Sequence, residues 1–413
     1  MNPGCPRVVY TRRMLKLRTR LVLMLASLAL ALPAAELSAV AKPESAGMSS
    51  ERLSRVGVWL DDMVKRKEAA GFVALVARRG KTVLHEAHGT RGLSNAEPMT
   101  RDALFDLASM TKPVTVTAAL MLLEEGKFAL NDPIGNYLPE FRNARIETSP
   151  GVFAPARKPI TVQHLFTHTS GVFTPRSRAE IFEFPTLAAF MQDLARSPVR
   201  HEPGTRYLYG TSHDVLGYLV EKVSGEPLDR FIQSRVLTPL GMNDTYYWPP
   251  DSLNKRRAVL VVNGKDDPES LSRVPPAAAR ARTYIGGASG LYSTAADYAR
   301  LSQMLLNGGS LEGKRLLGPR TVAWMAQNHI GAIDSFTTPG TRFGLGLAVV
   351  TDPGAAGLPY SRGSFYWSGS QGTIFWIDPH EELIGVLMVQ VTPSSKLKLR
   401  ERFAALVYSS ITQ

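Results

Sequence analysis

The sequence predicts an α/β protein of the α+β kind, in which helices flank an antiparallel sheet and a mostly helical lobe is inserted. Two observations support this prediction. Strand-like runs cover 71–88 and reappear between 343 and 391, whereas amphipathic helix patterns dominate roughly from 130 to 285. The N- and C-terminal segments are therefore expected to form one sheet, with a functional site at its junction with the inserted lobe.

The elements before the insertion begin with an amphipathic helix. Its apolar positions in 50–67 recur at helical spacing after a Ser/Glu start. The runs 71–78 and 82–88 flank a short turn at 79–81, which predicts a hairpin. A long apolar helix pattern follows at 109–125 and is ended by a glycine.

Helix patterns continue through the insertion, and strand patterns resume beyond it. Helices are expected at 161–167, 214–224, 227–238, 295–306 and 396–411. Later strands are expected at 343–350, 372–378 and 383–391. A polar stretch at 251–275 and a glycine cluster at 286–290 interrupt these patterns.

Length and composition are those of an ordinary globular protein. The 413 residues, 44% of them hydrophobic and 20% charged, suffice for one large domain or two moderate ones. The net charge of +12 is raised by six basic residues that precede the first acidic one. The remaining basic residues form no stripe interleaved with aromatic residues, so no nucleic-acid partner is expected.

Residues 1–41 are predicted to be a signal peptide. A basic region ending at Arg20 leads into an apolar run at 21–32, and small residues at 39–41 fit a cleavage site. The apolar run is too short for a stable membrane span, so a periplasmic or secreted domain at 42–413 is expected. The pair Arg12-Arg13 leaves a twin-arginine route open beside the general secretion route.

Cysteine and histidine usage argues against several kinds of site. Cys5 is the only cysteine and lies within the predicted signal, so the mature domain has no disulfide and no cysteine nucleophile. His164 and His168 have the spacing of a metal pair but no acidic residue between them, which favours structural roles. Neither a metal nor another cofactor is expected.

Ser109 and Lys112 form the most informative motif, a Ser-x-x-Lys tetrad at the start of the apolar helix pattern. A serine hydroxyl needs a base beside it to act as a nucleophile, and residues three apart share one helix face. The apolar residues behind the tetrad would partly desolvate Lys112, which disfavours its charged form and makes it a better proton acceptor. The motif therefore predicts nucleophilic catalysis, and the alternative is a helix cap followed by a solvated lysine.

The same spacing occurs at Ser252/Lys255 and Ser395/Lys398, so the context of each match decides its meaning. Ser252 lies in a loop-like stretch with no helix pattern behind it. Ser395 is too near the chain end for later strands to complete a site. Neither is expected to be a nucleophile.

Two further segments carry candidate functional residues. Tyr209 lies in a turn at 203–211 before a helix, and its phenol could pass a proton to a leaving group beside the Lys112 cation. Trp367 lies at 366–372, a segment that enters a strand and could run along the serine. The structural alternatives are a core tyrosine and a packed aromatic residue on an edge strand.

These motifs together resemble the serine β-lactamase/DD-peptidase superfamily, and within it the family VIII carboxylesterases with a class C β-lactamase-like fold. The resemblance runs from about residue 47 to the C-terminus. Its marks are Ser-Met-Thr-Lys-Pro at 109–113, Leu-Phe-Thr-His-Thr-Ser-Gly at 165–171, Pro-Gly-Thr-Arg-Tyr-Leu-Tyr at 203–209, Pro-Leu-Gly-Met at 239–242, Gly-Leu-Tyr-Ser-Thr at 290–294 and Trp-Ser-Gly at 367–369.

The resemblance implies a role for each candidate residue. Ser109 would be the acylated nucleophile, Lys112 its proton acceptor, and Tyr209 the second base and leaving-group acid. The backbone N–H groups of Ser109 and Ser370 would form the oxyanion hole. The residues implied in substrate binding are Trp367, Ser368, Gly369 and Thr211.

Two departures from the β-lactamase pattern change the expected substrate. The Tyr-x-Asn motif of these enzymes has Thr211 at its third position here, and Trp367 replaces the lysine of their Lys-Thr-Gly motif. Loss of that cation removes the electrostatic preference for anionic substrates, and an indole wall favours neutral acyl groups. The Gly-x-Ser-x-Gly motif of α/β-hydrolases is absent.

The expected function is hydrolysis of a small-molecule ester, or of an amide, through an acyl-enzyme. The alternatives on the same fold are a β-lactamase, a D-amino-acid peptidase or amidase, and an acyltransferase. An alternative of another class is a non-catalytic binding or sensor domain. The presence of all three residues Ser109, Lys112 and Tyr209 argues against it, because a binding protein has no need of them together.

Overall fold

The structure is a computed structural model that describes Met1 and residues 40–270, 284–335 and 338–413. The chain divides into a unit of residues 1–34 and a unit of residues 35–413. The helices and strands of the described residues belong to the second unit. Most of the predicted signal peptide at 1–41 lies outside the described residues, so it stays a prediction.

Seven strands of the described residues form one antiparallel sheet. In chain order they are β1 (Gly71–Arg78), β2 (Lys81–Gly89), β3 (Thr341–Phe343), β4 (Ala348–Val350), β5 (Phe365–Ser368), β6 (Ile374–Asp378) and β7 (Leu383–Val389). Their order across the sheet is β3-β4-β5-β6-β7-β1-β2, so the last of these strands pairs with the first. The predicted sheet from both ends of the chain is thereby confirmed.

The helices surround this sheet and fill the inserted lobe. The α-helices are Ser50–Leu53, Arg55–Lys65, Thr111–Glu124, Val162–Phe166, Arg178–Phe182, Leu187–Leu194, Ser212–Ser224, Leu228–Ile232, Ala295–Leu306, Pro319–Met325, Pro353–Ala356 and Leu399–Tyr408. A π-helical turn spans Gln233–Leu237. The 3-10 turns are Pro43–Ala46, Ala108–Met110, Ile134–Asn136, Pro139–Phe141, Asp251–Arg256, Pro268–Ser270 and Ser395–Leu397.

The core lies on both faces of the sheet, as two neighbouring residues of β6 show. Successive residues of a strand point to opposite faces. The Trp376 ring packs edge-on against Phe403 of the C-terminal helix, with 5.0 Å between ring centroids. The next residue back, Phe375, packs edge-on against Tyr298 at 4.9 Å. The sheet is therefore covered on both sides, and its central strands β1, β6 and β7 are buried along their whole length.

The insertion contains helices, a hairpin and a link to the sheet. The hairpin pairs Arg145–Ser149 with Val152–Pro155. The link is a parallel pairing of Val261–Val262 with Val391–Thr392, which directly follows β7. Two other short pairings join Phe105–Asp106 to Tyr292–Ser293 and Ser310–Leu311 to Lys314–Arg315.

Some predicted boundaries were wrong for identifiable reasons. The run at 343–350 is not one strand, because residues between β3 and β4 form a tight turn. Gly346 in that turn has a φ of 81°, and a Cβ atom there would overlap the Val116 side chain. The predicted helix at 50–67 is likewise divided in two at Ser54. The helix at 295–306 has the predicted bounds.

Candidate active site

Ser109 lies in the 3-10 turn that precedes the helix Thr111–Glu124, whose polar and apolar residues are buried over most of its length. The Lys112 side-chain nitrogen Nζ donates to Ser109 Oγ at 3.0 Å. The same nitrogen donates to the carbonyl oxygen of Ala288, also at 3.0 Å. Lys112 is only 3% exposed, so the two polar contacts fix its position. The predicted pairing of serine and lysine is present in the structure.

The turn holding Ser109 is shaped by Asp106. Ala108 has a φ of 45°, a left-handed conformation that an alanine adopts only at a cost of about 1–3 kcal/mol. The Asp106 carboxylate accepts the Ala108 N–H at 2.9 Å and receives two guanidinium contacts from Arg178, at 2.9 and 3.1 Å. Gln390 also donates to the Asp106 carbonyl oxygen at 3.0 Å. These bonds stabilise the strained residue directly before the nucleophile.

Tyr209 lies between Lys112 and Trp367. The Lys112 nitrogen is 4.6 Å from the centroid of the Tyr209 ring. The indole N–H of Trp367 donates to the Tyr209 hydroxyl oxygen at 3.2 Å, and the two ring centroids are 5.4 Å apart. The structure therefore brings together Ser109, Lys112, Tyr209 and Trp367, the four side chains that the sequence motifs selected.

A buried carboxyl group supports the carbonyl that holds Lys112. Asp214 Oδ1 accepts a hydrogen bond from the Tyr284 hydroxyl at 2.6 Å and one from the Ala288 N–H at 2.9 Å. Burial raises the pKa of Asp214, although these two hydrogen bonds act in the opposite direction. Gly287 lets this segment approach the backbone of His213 closely, because a Cβ atom on Gly287 would collide with the carbonyl oxygen of His213. The glycine cluster predicted from sequence thus lies against the helix Ser212–Ser224.

The end of β5 approaches the nucleophile through Gly369. A Cβ atom on Gly369 would come within 2.5 Å of the Leu107 carbonyl oxygen, so only glycine fits this approach. The Gly369 N–H donates to the Thr373 carbonyl oxygen at 2.7 Å, which closes the turn that carries Ser370. Ser109 and Ser370 consequently line the same cavity.

Two cavities meet at Ser109 and Ser370. The first has a volume of about 450 Å³ and is also lined by Tyr209, Trp367, Ser368 and Gly369. The second has a volume of about 360 Å³ and is also lined by the apolar or aromatic side chains of Phe173, Ile181, Phe182 and Tyr284. Each volume lies in the range of small-molecule sites. Ser109 therefore borders both cavities.

The remaining predicted residues fall in different places. Thr211 lines the second cavity but is buried, and its hydroxyl donates to the Val172 carbonyl oxygen at 3.4 Å. Ser252 lies exposed in a 3-10 turn. Ser395 and Lys398 border the first cavity, but no hydrogen bond joins them among the described residues. Of the three tetrads, only the one at Ser109 has a hydrogen bond between its serine and lysine side chains among the described residues.

Several supporting residues were missed by reasoning from the sequence. Asp106, Arg178 and Asp214 act on the nucleophile turn or on the Ala288 segment through contacts between distant parts of the chain. Arg400 borders the first cavity beside Lys398, and its guanidinium lies 4.3 Å over the Tyr366 ring. The sequence signal for them was weak, namely the positions of Asp106, three residues before Ser109, and of Asp214, five residues after Tyr209.

The described residues contain neither a membrane-spanning helix nor a metal-binding cluster. No helix among the described residues is long and apolar enough to cross a membrane. Over the same residues, no cluster of three or more histidine, cysteine, aspartate or glutamate side chains is arranged to hold a metal ion.

The fold and the serine–lysine–tyrosine arrangement are those of a serine hydrolase related to the penicillin-recognising enzymes. Residues 59–409 match the β-lactamase family, and the protein belongs to that family. The family predicted from the motifs is thereby confirmed.

Three known proteins show how close the similarity is. Esterase EstB of Burkholderia gladioli is 30% identical over 79% of this chain and 87% of its own length. The structure of EstCE1, a hydrolase with promiscuous acyltransferase activity, superposes with a TM-score of 0.75 at 26% identity, covering 88% of this chain and 99% of that one. A family VIII carboxylesterase has the same fold, with a TM-score of 0.67 at 21% identity over 88% of this chain and 99% of that one.

Proposed function

We propose that the protein is a serine hydrolase that cleaves carboxylic esters through an acyl-enzyme on Ser109. The observation that carries this proposal is the 3.0 Å contact of Lys112 Nζ with Ser109 Oγ, beside the Tyr209 ring. A serine nucleophile requires an adjacent proton acceptor that is itself held in place. The second Lys112 contact, to Ala288, provides that restraint.

In the first half-reaction, the Ser109 oxygen attacks the ester carbonyl carbon and its proton passes to neutral Lys112. The carbonyl oxygen becomes an oxyanion, for which the backbone N–H groups of Ser109 and Ser370 are the proposed donors. The intermediate collapses as the carbon–oxygen bond to the alcohol breaks. Tyr209 gives its proton to the departing alkoxide and recovers one from Lys112, which leaves an ester on Ser109.

In the second half-reaction, a water molecule attacks this ester. Tyr209 passes its own proton to Lys112 as it accepts the proton of the water, Lys112 then supplies the proton that the Ser109 oxygen regains, and the backbone donors again hold the oxyanion. Breakage of the bond to Ser109 releases the carboxylic acid, and the serine oxygen regains its proton. The site is therefore returned to its starting state with no net change in protons on the enzyme.

The choice of an ester over a β-lactam rests on Trp367. The indole takes the place where β-lactamases of the resemblance carry a lysine, and it lies 6% exposed against Tyr209. A neutral, aromatic wall at this position does not attract a substrate carboxylate, whereas it accepts an uncharged acyl or alkoxy group. The similarity to EstB and to EstCE1 supports an esterase in preference to a β-lactamase.

The test uses purified mature protein, p-nitrophenyl esters, nitrocefin and a labelled fluorophosphonate. Ser109→Ala should lose ester hydrolysis by several orders of magnitude, because only binding and oxyanion contributions remain. The adduct should map to Ser109. Ser252→Ala is the matched control and should keep wild-type activity, since this serine is exposed and away from the cavities. Hydrolysis of nitrocefin as fast as that of esters would identify a β-lactamase instead.

Acyl transfer is a second candidate activity, favoured by the two cavities that meet at the nucleophile. One cavity can hold the acyl group while the other admits an alcohol in place of water. The promiscuous acyltransferase activity of EstCE1 agrees with this arrangement. Addition of butanol during ester hydrolysis should then yield the butyl ester, measured by gas chromatography, whereas release of acid alone would exclude transfer.

Export to the periplasm or the medium is also proposed. It is supported by the order of basic, apolar and small residues in 1–41. N-terminal sequencing of protein from the native envelope should find a mature start at 36–43. Recovery of a chain that begins at Met1 or Met14 would contradict this proposal.

A further inference from the structure

The ring of His168 lies directly behind Tyr209. His168 follows Thr167, the C-cap residue of the short helix Val162–Phe166, and is wholly buried. Its ring centroid is 4.6 Å from that of Tyr209, with 55° between the planes. The ring of His213 lies 4.3 Å from that of His168, tilted by 33°. His168 therefore contacts both the proposed proton carrier and a second buried imidazole.

Stability alone does not explain a histidine at this position. Neither ring nitrogen of His168 makes a hydrogen bond to another described residue. A buried polar group without a partner costs free energy that an apolar side chain of similar size would not. His168 also has a φ of 55°, a left-handed conformation that persists in a non-glycine residue only where its surroundings enforce it. Such strain is concentrated at functional sites.

Burial disfavours the charged form of both imidazoles. Burial, with smaller contributions from His213 and Lys112, lowers the pKa of His168 well below its ordinary value. Burial likewise lowers the pKa of His213 to about 3. His213 Nε2 lies 3.2 Å from the Phe166 carbonyl oxygen and must be the donor, because a carbonyl only accepts.

The backbone of His168 also holds the segment that carries Tyr209. The His168 carbonyl oxygen accepts the Leu208 N–H at 2.8 Å, one residue before the tyrosine. The next carbonyl, of Thr169, accepts the Gly204 N–H at 2.8 Å at the other end of the turn. The 168–169 loop and the 204–209 turn are therefore joined by two hydrogen bonds, and the ring contact of His168 with Tyr209 is next to the first of them in the chain.

We propose that His168 is a positioning residue for Tyr209, fixing the phenol between Lys112 and Trp367 through its ring and its carbonyl together. This inference rests on the proton-carrying role proposed for Tyr209. It assigns a function to a residue that sequence analysis interpreted as structural. A small displacement of the phenol would weaken proton transfer, because that step depends on hydrogen-bond distance.

The test is a double-mutant cycle with His168→Asn and Tyr209→Phe. Asparagine tolerates the left-handed backbone, so it removes the ring while preserving the local chain path. His168→Asn should lower kcat for p-nitrophenyl butyrate at least tenfold while KM stays within twofold. In the Tyr209→Phe background the same change should lower the residual rate less than twofold, because the residue through which it acts has lost its hydroxyl. His168→Phe, which restores a ring, should recover most of the activity.

The matched control is Val162→Ala, a buried change in the same short segment. It should lower the melting temperature without altering kcat, whereas a positioning residue lowers kcat even at temperatures far below unfolding. Equal losses from His168→Asn in both backgrounds, or a raised KM with unchanged kcat, would overturn the inference. An active Tyr209→Phe enzyme would instead remove the tyrosine from the proposed mechanism, and an active Ser109→Ala enzyme would overturn the proposed function itself.

Discussion

Replacing Trp367 by phenylalanine removes one hydrogen bond from the site while leaving an aromatic ring in place. The indole N–H donates to the Tyr209 hydroxyl oxygen at 3.2 Å. The ring itself packs against Tyr209 at 5.4 Å and edge-on against Phe343 at 5.3 Å, and phenylalanine can keep both contacts. Trp367→Phe therefore isolates the hydrogen bond.

The size of the effect depends on the charge of Tyr209 in the transition state. A hydrogen bond between neutral groups contributes about 0.5–1.5 kcal/mol, which corresponds to roughly 2- to 12-fold in rate. A bond to a charged group contributes about 1.5–3 kcal/mol, or roughly 12- to 160-fold. Because Tyr209 gives up its proton to the leaving alkoxide in the proposed mechanism, we expect kcat to fall more than tenfold.

The assay compares kcat and KM for p-nitrophenyl acetate in wild type and Trp367→Phe, with the rate of fluorophosphonate labelling of Ser109 as a second measurement. The same change in a Tyr209→Phe background is the control, since the acceptor oxygen is then absent. A loss below twofold in wild type, or an equal loss in both backgrounds, would refute the reasoning. It would mean that the indole only packs against the tyrosine.

Trp367→Lys tests the same position for substrate choice. The added cation should shift relative kcat/KM toward a carboxylate-bearing ester and away from a neutral one by about 1–2 kcal/mol. The quantity to compare is the ratio of kcat/KM for the charged ester to kcat/KM for the neutral ester. Lys398 and Arg400 already border the first cavity, and their charges are present in both wild type and Trp367→Lys. The shift should shrink as salt rises. Loss of all activity together with stability would show that the indole is only structural.

Three other predictions concern proton transfer, the nucleophile turn and stability. Lys112→Ala and Tyr209→Phe should each reduce kcat severely, and the double variant should be little worse; losses that multiply would show independent roles. Asp106→Asn should weaken the contacts that hold the strained turn before Ser109. The free energy of unfolding, measured with urea, should fall by about 1–3 kcal/mol, and kcat should fall as well. An unchanged free energy of unfolding and an unchanged kcat would contradict this role of Asp106. The carboxylates of Glu86 and Asp61 raise the pKa of His88 in the folded protein. Their interaction with protonated His88 therefore stabilises the fold at low pH, and this contribution is lost as pH rises through the pKa of His88 in the folded state. His88→Asn should therefore lower the melting temperature more at pH 5.5 than at pH 8.5, and the reverse order would contradict the assignment.

The local patterns of the chain determined most of its elements and the centre of its site. The Ser109 tetrad was recognisable because both residues lie within one helical turn, where spacing alone places them together. The helix at 295–306 had clear signals at both ends, and its bounds were correct. Strand-like runs near both termini were enough to indicate a sheet shared between them.

Tertiary structure decided how the nucleophile is supported. Trp367 and Tyr209 are 158 residues apart, and Lys112 and Ala288 are 176 residues apart. No periodicity links such pairs, because their contact depends on the packing of the inserted lobe against the sheet. The sequence therefore indicated which residues are chemically suited to the reaction.

The same limit explains why His168 was interpreted as structural. A histidine with no acidic neighbour in sequence gives no local signal of function. Its role depends on which side chain its ring contacts in the folded protein. The fold places that ring against Tyr209 and the His168 carbonyl against the neighbouring Leu208 N–H. Spacing along the chain determined the nucleophile and its base, whereas long-range packing determined what orients them, because orientation is a property of contacts between distant segments.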